Sequence, residues 1–411
     1  VFVSNIATNL KDSGPFASVL PETLSGEQKE VWRKAVNDGL KLLRAQLVSE
    51  AYLKFQEAGE IEPDHADLQF NMGQCLLRLE DSQKPKSYFV KARELDLLRF
   101  RADERVNQII RDACEGKEKD GVYFVDAIKY FEEQSKDGIP GYDFFWDHVH
   151  LKFAGNYLLA RLYAVQIAHA LSLRGVEITE KPWLNTQECA VRLALTRWGQ
   201  YSMTNTMVAR LNQYPFSEQS NRAELNAKML EESKLLKLDA NKEVLQAMAA
   251  LYQKAIALDE DNWMLYDQYA KFLKGFGDKE NAGINWKKVL ELIPHHFMAR
   301  YELGGLLSAS ALTAPSGEKY LKEATDLRPY IPEVWVELGL NLGRQKRYED
   351  AIEAFQRATE LNPKLLIAHV NWAVALNSHE KPDDAVARLE KALTINTNDV
   401  SVHLHLARFL V

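Results

Sequence analysis

The sequence predicts a mostly helical protein: a curved stack of helical hairpins in its carboxy-terminal half, joined to a smaller, incomplete α/β portion. Three observations predict it. Small and large apolar residues recur with a 34-residue period through 229–411. The same period reappears at 32–98, and 99–175 abandons it for short apolar runs bounded by glycine and charge. With 411 residues, 46% of them hydrophobic and 27% charged, the chain can bury a substantial core. The expected organisation is an α/β portion at 1–26 and 99–175, two inserted hairpins at 27–98, a helical connector at 176–228, and the solenoid at 229–411.

The clearest hairpin is 332–365. Its first helix carries Trp335, Leu338, Gly339 and Leu342, its second Ala351, Phe355 and Ala358, and Pro363 stands at the exit. Two antiparallel helices approach closely only where small residues face the partner, while large residues fill the space between successive hairpins. This pattern resembles the tetratricopeptide repeat (TPR), departing from it only where Leu342 replaces a tyrosine. At the same period, 298–331 offers Tyr301, Gly305, Leu321, Ala324 and Pro329. Residues 263–296 offer Tyr266, Ala270, Ala282, Trp286 and Pro294, with one residue of slack before the next unit. Residues 366–399 offer Ala373, Leu376, Ala385, Leu389 and Ala392, and 400–411 begins a further first helix. Residues 229–262 read as a degenerate copy that keeps Tyr252 and Ala255.

Near the amino terminus, 32–65 places Gly39, Ala51, Phe55, Ala58 and Pro63 at matching positions. The next copy, 66–99, keeps Gly73, Phe89 and Ala92 but has Pro85 where a small alanine belongs, so a late start is expected for its second helix.

Residues 99–175 read as helix, strand, loop, helix. Gly121 to Asp126 form a short apolar run of the kind a buried parallel strand shows. A helix from Ala127 to Gln134 and a Gly138-Ile139-Pro140-Gly141 turn follow, leading into Asp147-His148-Val149-His150-Leu151, then Gly155 and a final helix. An Asp three residues before a His in a tight loop can bond the far imidazole nitrogen and fix the tautomer that accepts a proton.

That block resembles the last conserved block of SGNH (GDSL-type) hydrolases, a flavodoxin-like α/β family. The resemblance covers about 1–20 and 99–175, with Val1 to Ser4 read as an earlier strand. It implies a Ser-His-Asp triad in which His150 is the base and Asp147 its orienter, acting on an acyl ester. The family's Gly-Asp-Ser and Gly-x-Asn-Asp blocks are absent, and Ser4, Asn9 and Asp12 do not stand in their pattern. The nucleophile is therefore expected upstream of Val1 in a longer parent, and this chain alone is expected to be inactive.

First helices line the concave groove of such solenoids. The groove candidates are Glu333, Val336, Leu340 and Arg344 in one repeat and Ile367, Val370, Val374 and Asn377 in the next, an apolar strip with few charges. A protein or peptide is the expected partner. Val336 and Leu340 stand where co-chaperone repeats carry a Lys and Asn clamp for a carboxylate tail, which disfavours that ligand.

A net charge of −7 argues against nucleic acid. No apolar run is long enough to span a bilayer. Cys75, Cys114 and Cys189 are widely separated and read as free thiols. His148-x-His150, His295-His296 and His403-x-His405 lack a third ligand at a supporting spacing, so neither a metal nor a cofactor is expected. The functional reading is a TPR scaffold attached to part of an SGNH-type ester hydrolase. The alternatives are a non-catalytic adaptor or assembly subunit with a degenerate hydrolase portion, and an O-acyltransferase acting on polysaccharide or lipid.

Overall fold

The computed structural model describes residues 1–80, 85–178, 183–237 and 241–409. It divides into two compact units, Val1–Ala190 with Arg197–Asp239, and Val191–Thr196 with Ala240–Val411.

In the first unit, β1 (Phe2–Ser4) pairs in parallel with β2 (Tyr123–Val125), Phe2 opposite Tyr123 and Ser4 opposite Val125. A parallel pair needs a long crossover. Here the crossover carries α1 (Gly26–Arg44), α2 (Val48–Ile61), α3 (Ala66–Arg78), α4 (Pro85–Leu95) and α5 (Glu104–Cys114). The residues before Pro85, where the late start was expected, lie outside the described residues. After β2 the chain continues through α6 (Ala127–Gln134), α7 (Phe153–Ser172), α8 (Thr186–Arg192), α9 (Arg197–Leu211) and α10 (Arg222–Leu236). Among the described residues the α/β character is this one strand pair. The flavodoxin-like portion expected at 1–26 and 99–175 gains no further support, because the sequence after Asp126 folds into helices and a long loop rather than more sheet.

The second unit is a run of helices: α11 (Lys242–Leu258), α12 (Trp263–Gly275), α13 (Lys279–Leu292), α14 (Phe297–Leu307), α15 (Ala314–Leu327), α16 (Pro332–Arg344), α17 (Tyr348–Leu361), α18 (Leu366–Ser378), α19 (Pro382–Ile395) and α20 (Val400–Phe409). The hairpin expected at 229–262 does not form as one piece. Residues 229–236 lie on α10, which packs against α9 in the first unit, while α11 opens the second. Residues 176–228, expected to connect, instead supply a helical pair to the first unit: Met207 and Leu211 of α9 meet Leu225 and Met229 of α10 over Tyr142 and Trp146.

Both units build hairpins by one rule. A Cβ added at Gly39 or Gly339 would sit 2.6 Å from the ring of Phe55 or Phe355, and one at Gly73 would sit 2.9 Å from Phe89. Each aromatic ring occupies the space its glycine leaves open, and all three rings are buried. The turn between the two helices is also shared. Gln46, Glu80, Gly277, Lys346 and Glu380 all have φ between 57° and 88°, the left-handed conformation that ends a helix with a Schellman turn. Its long hydrogen bond runs from Leu47 N to Leu42 O, Arg347 N to Leu342 O and Lys381 N to Leu376 O, each at 3.0 Å.

The repeat 298–331 departs from the expected register. Gly304, not Gly305, faces Leu321, at 2.7 Å from the added Cβ. Because α14 opens at Phe297, in step with Trp263 of α12, the extra residue falls in the Ser308–Thr313 connection rather than between repeats. Buried Asn341 fills this wider corner, donating to Ser308 Oγ at 2.5 Å and Ala314 O at 2.9 Å.

Successive repeats are tied by a donor near the start of five of the first helices, which bonds a carbonyl six residues earlier. Gln69 Nε2 reaches Pro63 O, Tyr266 OH reaches Glu260 O, Trp335 Nε1 reaches Pro329 O, His369 Nε2 reaches Pro363 O and His403 Nε2 reaches Thr397 O, over 2.6–3.1 Å.

Candidate functional site

Two regions carry chemistry beyond packing, one in each unit. In the first unit, the loop between α6 and α7 forms a tight turn. Trp146 N bonds His150 O at 2.7 Å, and Lys152 N bonds Phe144 O at 2.8 Å. Gly155 is required where α7 begins, since a Cβ there would collide with the Phe144 carbonyl. The turn brings Asp147 and His150 together. Asp147, only 1% exposed, accepts the backbone N–H groups of Val149 and His150 and places Oδ2 2.8 Å from His150 Nδ1. Arg210 Nη1 of α9 lies over the ring, 2.9 Å from Nε2 and 3.5 Å from Nδ1. A carboxylate only accepts, so Nδ1 carries a proton, which in the neutral ring leaves the lone pair on Nε2. That is the tautomer a general base needs, and Arg210 covers the face of the ring beside Nε2.

No hydroxyl bonds His150 Nε2 among the described residues. Ser4 ends β1 with its hydroxyl bonded by Tyr163 OH at 2.9 Å, and Ser13 is buried against Gln219 Nε2 at 2.8 Å. Asn9 is buried and accepts Asp12 N, while Asp12 accepts Tyr142 N, so both hold the loop. His148 turns inward among Phe16, Phe100 and Phe216, where burial pushes its pKa down to about 4. It is therefore neutral, and its carbonyl accepts Asn9 N at 3.0 Å. Beneath the loop, buried Arg101 donates to Ser13 O at 2.7 Å and to Asp96, whose carboxylate also caps the amides of Phe16, Ala17 and Leu98.

The concave face of the two amino-terminal repeats is filled by the same unit. Gln74 of α3 donates to Lys11 O, Phe70 packs with Leu10 and Ile139, and Arg78 pairs with Glu224 of α10 at 3.2 Å.

The concave face of the second unit is the other region. Of the groove candidates, Val336 is 5% exposed and belongs to the core with Leu321 and Leu342, so it cannot contact a ligand; the crossing of α15 and α16 buries it. Leu340, Val370 and Val374 are half-buried, Ile367 is 54% exposed, and Glu333, Arg344 and Asn377 are exposed. Leu404 extends the apolar strip on α20, 50% exposed. Towards α12 the face becomes polar, around a cleft of about 200 Å³ lined by Lys274, Tyr301, Glu302, Gly305 and Glu337. Lys274 and Glu302 form an ion pair at 2.5 Å. Burial pushes Glu337 up from the usual carboxylate range, and burial beside Glu337 and Glu302 pushes the Tyr301 hydroxyl up to about 12. Arg210 and Glu337 were not legible as site residues, because neither stands in a motif. The only available signal was that each lies on the inner stripe of a helix.

Among the described residues no group of three or more His, Cys, Asp or Glu side chains could hold a metal ion, and no helix is long and apolar enough to cross a membrane. His403, one of the paired histidines, instead bonds the Thr397 carbonyl. Cys75 and Cys114 are buried free thiols and Cys189 a half-buried one.

Residues 332–365 match the family model of the tetratricopeptide repeat. With that match and hairpins of the same build on either side, the chain contains tetratricopeptide repeats. No curated protein matches it. Among solved structures, MamA is 22% identical over 38% of this chain and 91% of its own, with a TM-score of 0.36. MamA from residue 41 to its end, from Desulfovibrio magneticus RS-1, is 17% identical over 49% and 97%, with a TM-score of 0.37. YrrB, described as a TPR protein with an unusual peptide-binding site, is 22% identical over 46% and 89%, also at 0.37.

Proposed function

We propose that this protein is a non-catalytic interaction scaffold whose carboxy-terminal repeats bind an extended peptide or protein segment along their concave face. The observation that carries this reading is the strip of Leu340, Ile367, Val370, Val374 and Leu404, apolar side chains left partly open on successive first helices. An apolar strip flanked by polar groups is what an extended chain with alternating side chains recognises. The test is binding of extended heptapeptide pools to the full chain and to Ile367→Asp. Weaker binding of every pool by the variant supports the scaffold; unchanged binding contradicts it.

One observation favours a second reading, an SGNH-type ester hydrolase or O-acyltransferase portion. The buried Asp147 carboxylate holds His150 in the tautomer that accepts a serine proton. On this reading His150 acts as base and then as acid, Asp147 stabilises the imidazolium, and the nucleophile approaches Nε2 in the ring plane, beside Arg210. Turnover of a short acyl ester by the full-length protein that falls at least tenfold in His150→Ala would support it. Turnover that is absent, or equal in both proteins, leaves the dyad a structural clasp.

A further inference from the structure

We propose that the cleft between α12, α14 and α16 is the specificity pocket of the concave face, and that it takes a cationic side chain, lysine or arginine, of an extended peptide. The inference rests on the peptide-groove reading and adds the chemistry of the ligand. It starts from the periodicity. Glu302 on α14 and Glu337 on α16 occupy the same place in successive first helices, and each looks towards the preceding first helix. Glu302 finds Lys274 there, at 2.5 Å. The residue that corresponds to Lys274 one repeat later is Ser308, which is buried and bonded to Gly304 O and Asn341. Glu337 is thus left without a hydrogen bond or ion pair among the described residues, although it is half-buried.

Space for a partner exists beside it. The nearest atom to a Cβ added at Gly305 is Glu337 Oε2, at 3.6 Å, so the carboxylate faces a gap where other first helices carry a side chain. The neighbouring cations do not fill that gap. Lys274 is held by Glu302, while Lys279 and Arg344 are exposed. Arg344 and Lys274 offset only part of the burial that pushes Glu337 up. An unpaired, partly desolvated carboxylate discriminates by charge: a cation gains a charge-assisted bond, and a neutral or acidic group leaves the carboxylate buried and unpaired. Next to it the apolar strip on α16 and α18 would seat the neighbouring aliphatic residues of the same peptide.

The experiment uses the full chain and three pools of N-acetylated heptapeptide amides. The central residue is fixed as lysine, norleucine or glutamate, and the other six are drawn from alanine, leucine, valine and serine. Wild-type protein should bind the lysine pool about tenfold more tightly than the norleucine pool. Glu337→Gln should lose that preference while keeping its affinity for norleucine, and Gly305→Leu, which plugs the gap, should do the same. Ile367→Asp should weaken the lysine and norleucine pools together and leave the preference intact. Equal affinity for lysine and norleucine in the wild type, or a preference that survives Glu337→Gln, overturns the proposal but leaves the groove. Failure of all three pools to bind overturns the groove reading as well.

Discussion

The amino-terminal repeat pair and the carboxy-terminal solenoid obey the same local rules and end with opposite surfaces. Gly39 opposite Phe55 and Gly339 opposite Phe355 make the same close helix crossing, Gln46 and Lys346 make the same left-handed turn, and Gln69 and Trp335 tie the same exit carbonyl. On the concave side the resemblance ends. Lys11, Leu10, Ile139 and Glu224 fill the face of α3, whereas Ile367 and Leu404 stay open on α18 and α20. The residues that build a hairpin therefore do not decide whether its groove is available. That depends on whether the rest of the unit supplies something to lay across it.

The largest expected effect breaks the filled side. Asp96 pairs with buried Arg101, and both side chains are no more than 3% exposed. Asp96→Ala leaves that guanidinium without its charge partner and frees three loop amides, which should cost about 3–5 kcal/mol and loosen 9–17. Chemical denaturation checks this, and a loss under about 1 kcal/mol would mean the loop is not pinned there. Burial lowers the pKa of Arg101 to about 10, against the pull of Asp96, which leaves the guanidinium charged at neutral pH in the wild type.

Next, Gly339→Val drives a branched side chain into the Phe355 ring, whose nearest atom lies 2.6 Å from the added Cβ. A loss of about 3 kcal/mol is expected, with Gly39→Val falling near it, because the two crossings are alike. A large difference between the two variants would break the equivalence of the regions.

Glu318 gives a smaller effect with a defined pH dependence. Burial would raise its pKa, but hydrogen bonds from Lys322, Gln345 and Arg347 outweigh it and bring the value down from 4.5 to about 2. A carboxyl depressed by folding stabilises above its unfolded pKa, and that stabilisation is lost as pH falls through the folded one. Glu318→Gln should therefore cost about 1 kcal/mol at pH 7, allowing for solvent around this cluster, and the gap from wild type should close between pH 4.5 and 2. The smallest effect sharpens the shared turn: Lys346→Gly relieves a side chain held at φ 60° and should raise stability by up to about 1 kcal/mol, read as a higher Tm.

The hairpins were legible in the sequence because their rule is local: a small residue, then a large one in the facing helix, with period and partner inside a single repeat. The shift from Gly305 to Gly304 is not legible in the sequence because the two glycines are adjacent and the extra residue sits in a connection that no spacing rule constrains. The exit ties are hidden because Gln69, Tyr266, Trp335 and His369 share a donor group rather than a residue type. The Asp147–His150 contact was legible from spacing in one turn. Arg210 beyond it was not, since it arrives from a helix 60 residues away in sequence. Filling of the first groove depends on Lys11 meeting Gln74 across 63 residues, a contact that only the folded unit reveals.

Hydroxyl-radical footprinting of the unmodified chain tests the central contrast most directly. Phe70 is 3% exposed on the filled face, and Ile367 and Leu404 are at least half exposed on the open one. Relative to the same residues in unfolded peptide, oxidation at Phe70 should fall by at least about tenfold, while Ile367 and Leu404 should remain within about twofold. Protection of Ile367 and Leu404 to the level of Phe70 would mean that the carboxy-terminal groove is also covered, and would contradict the account.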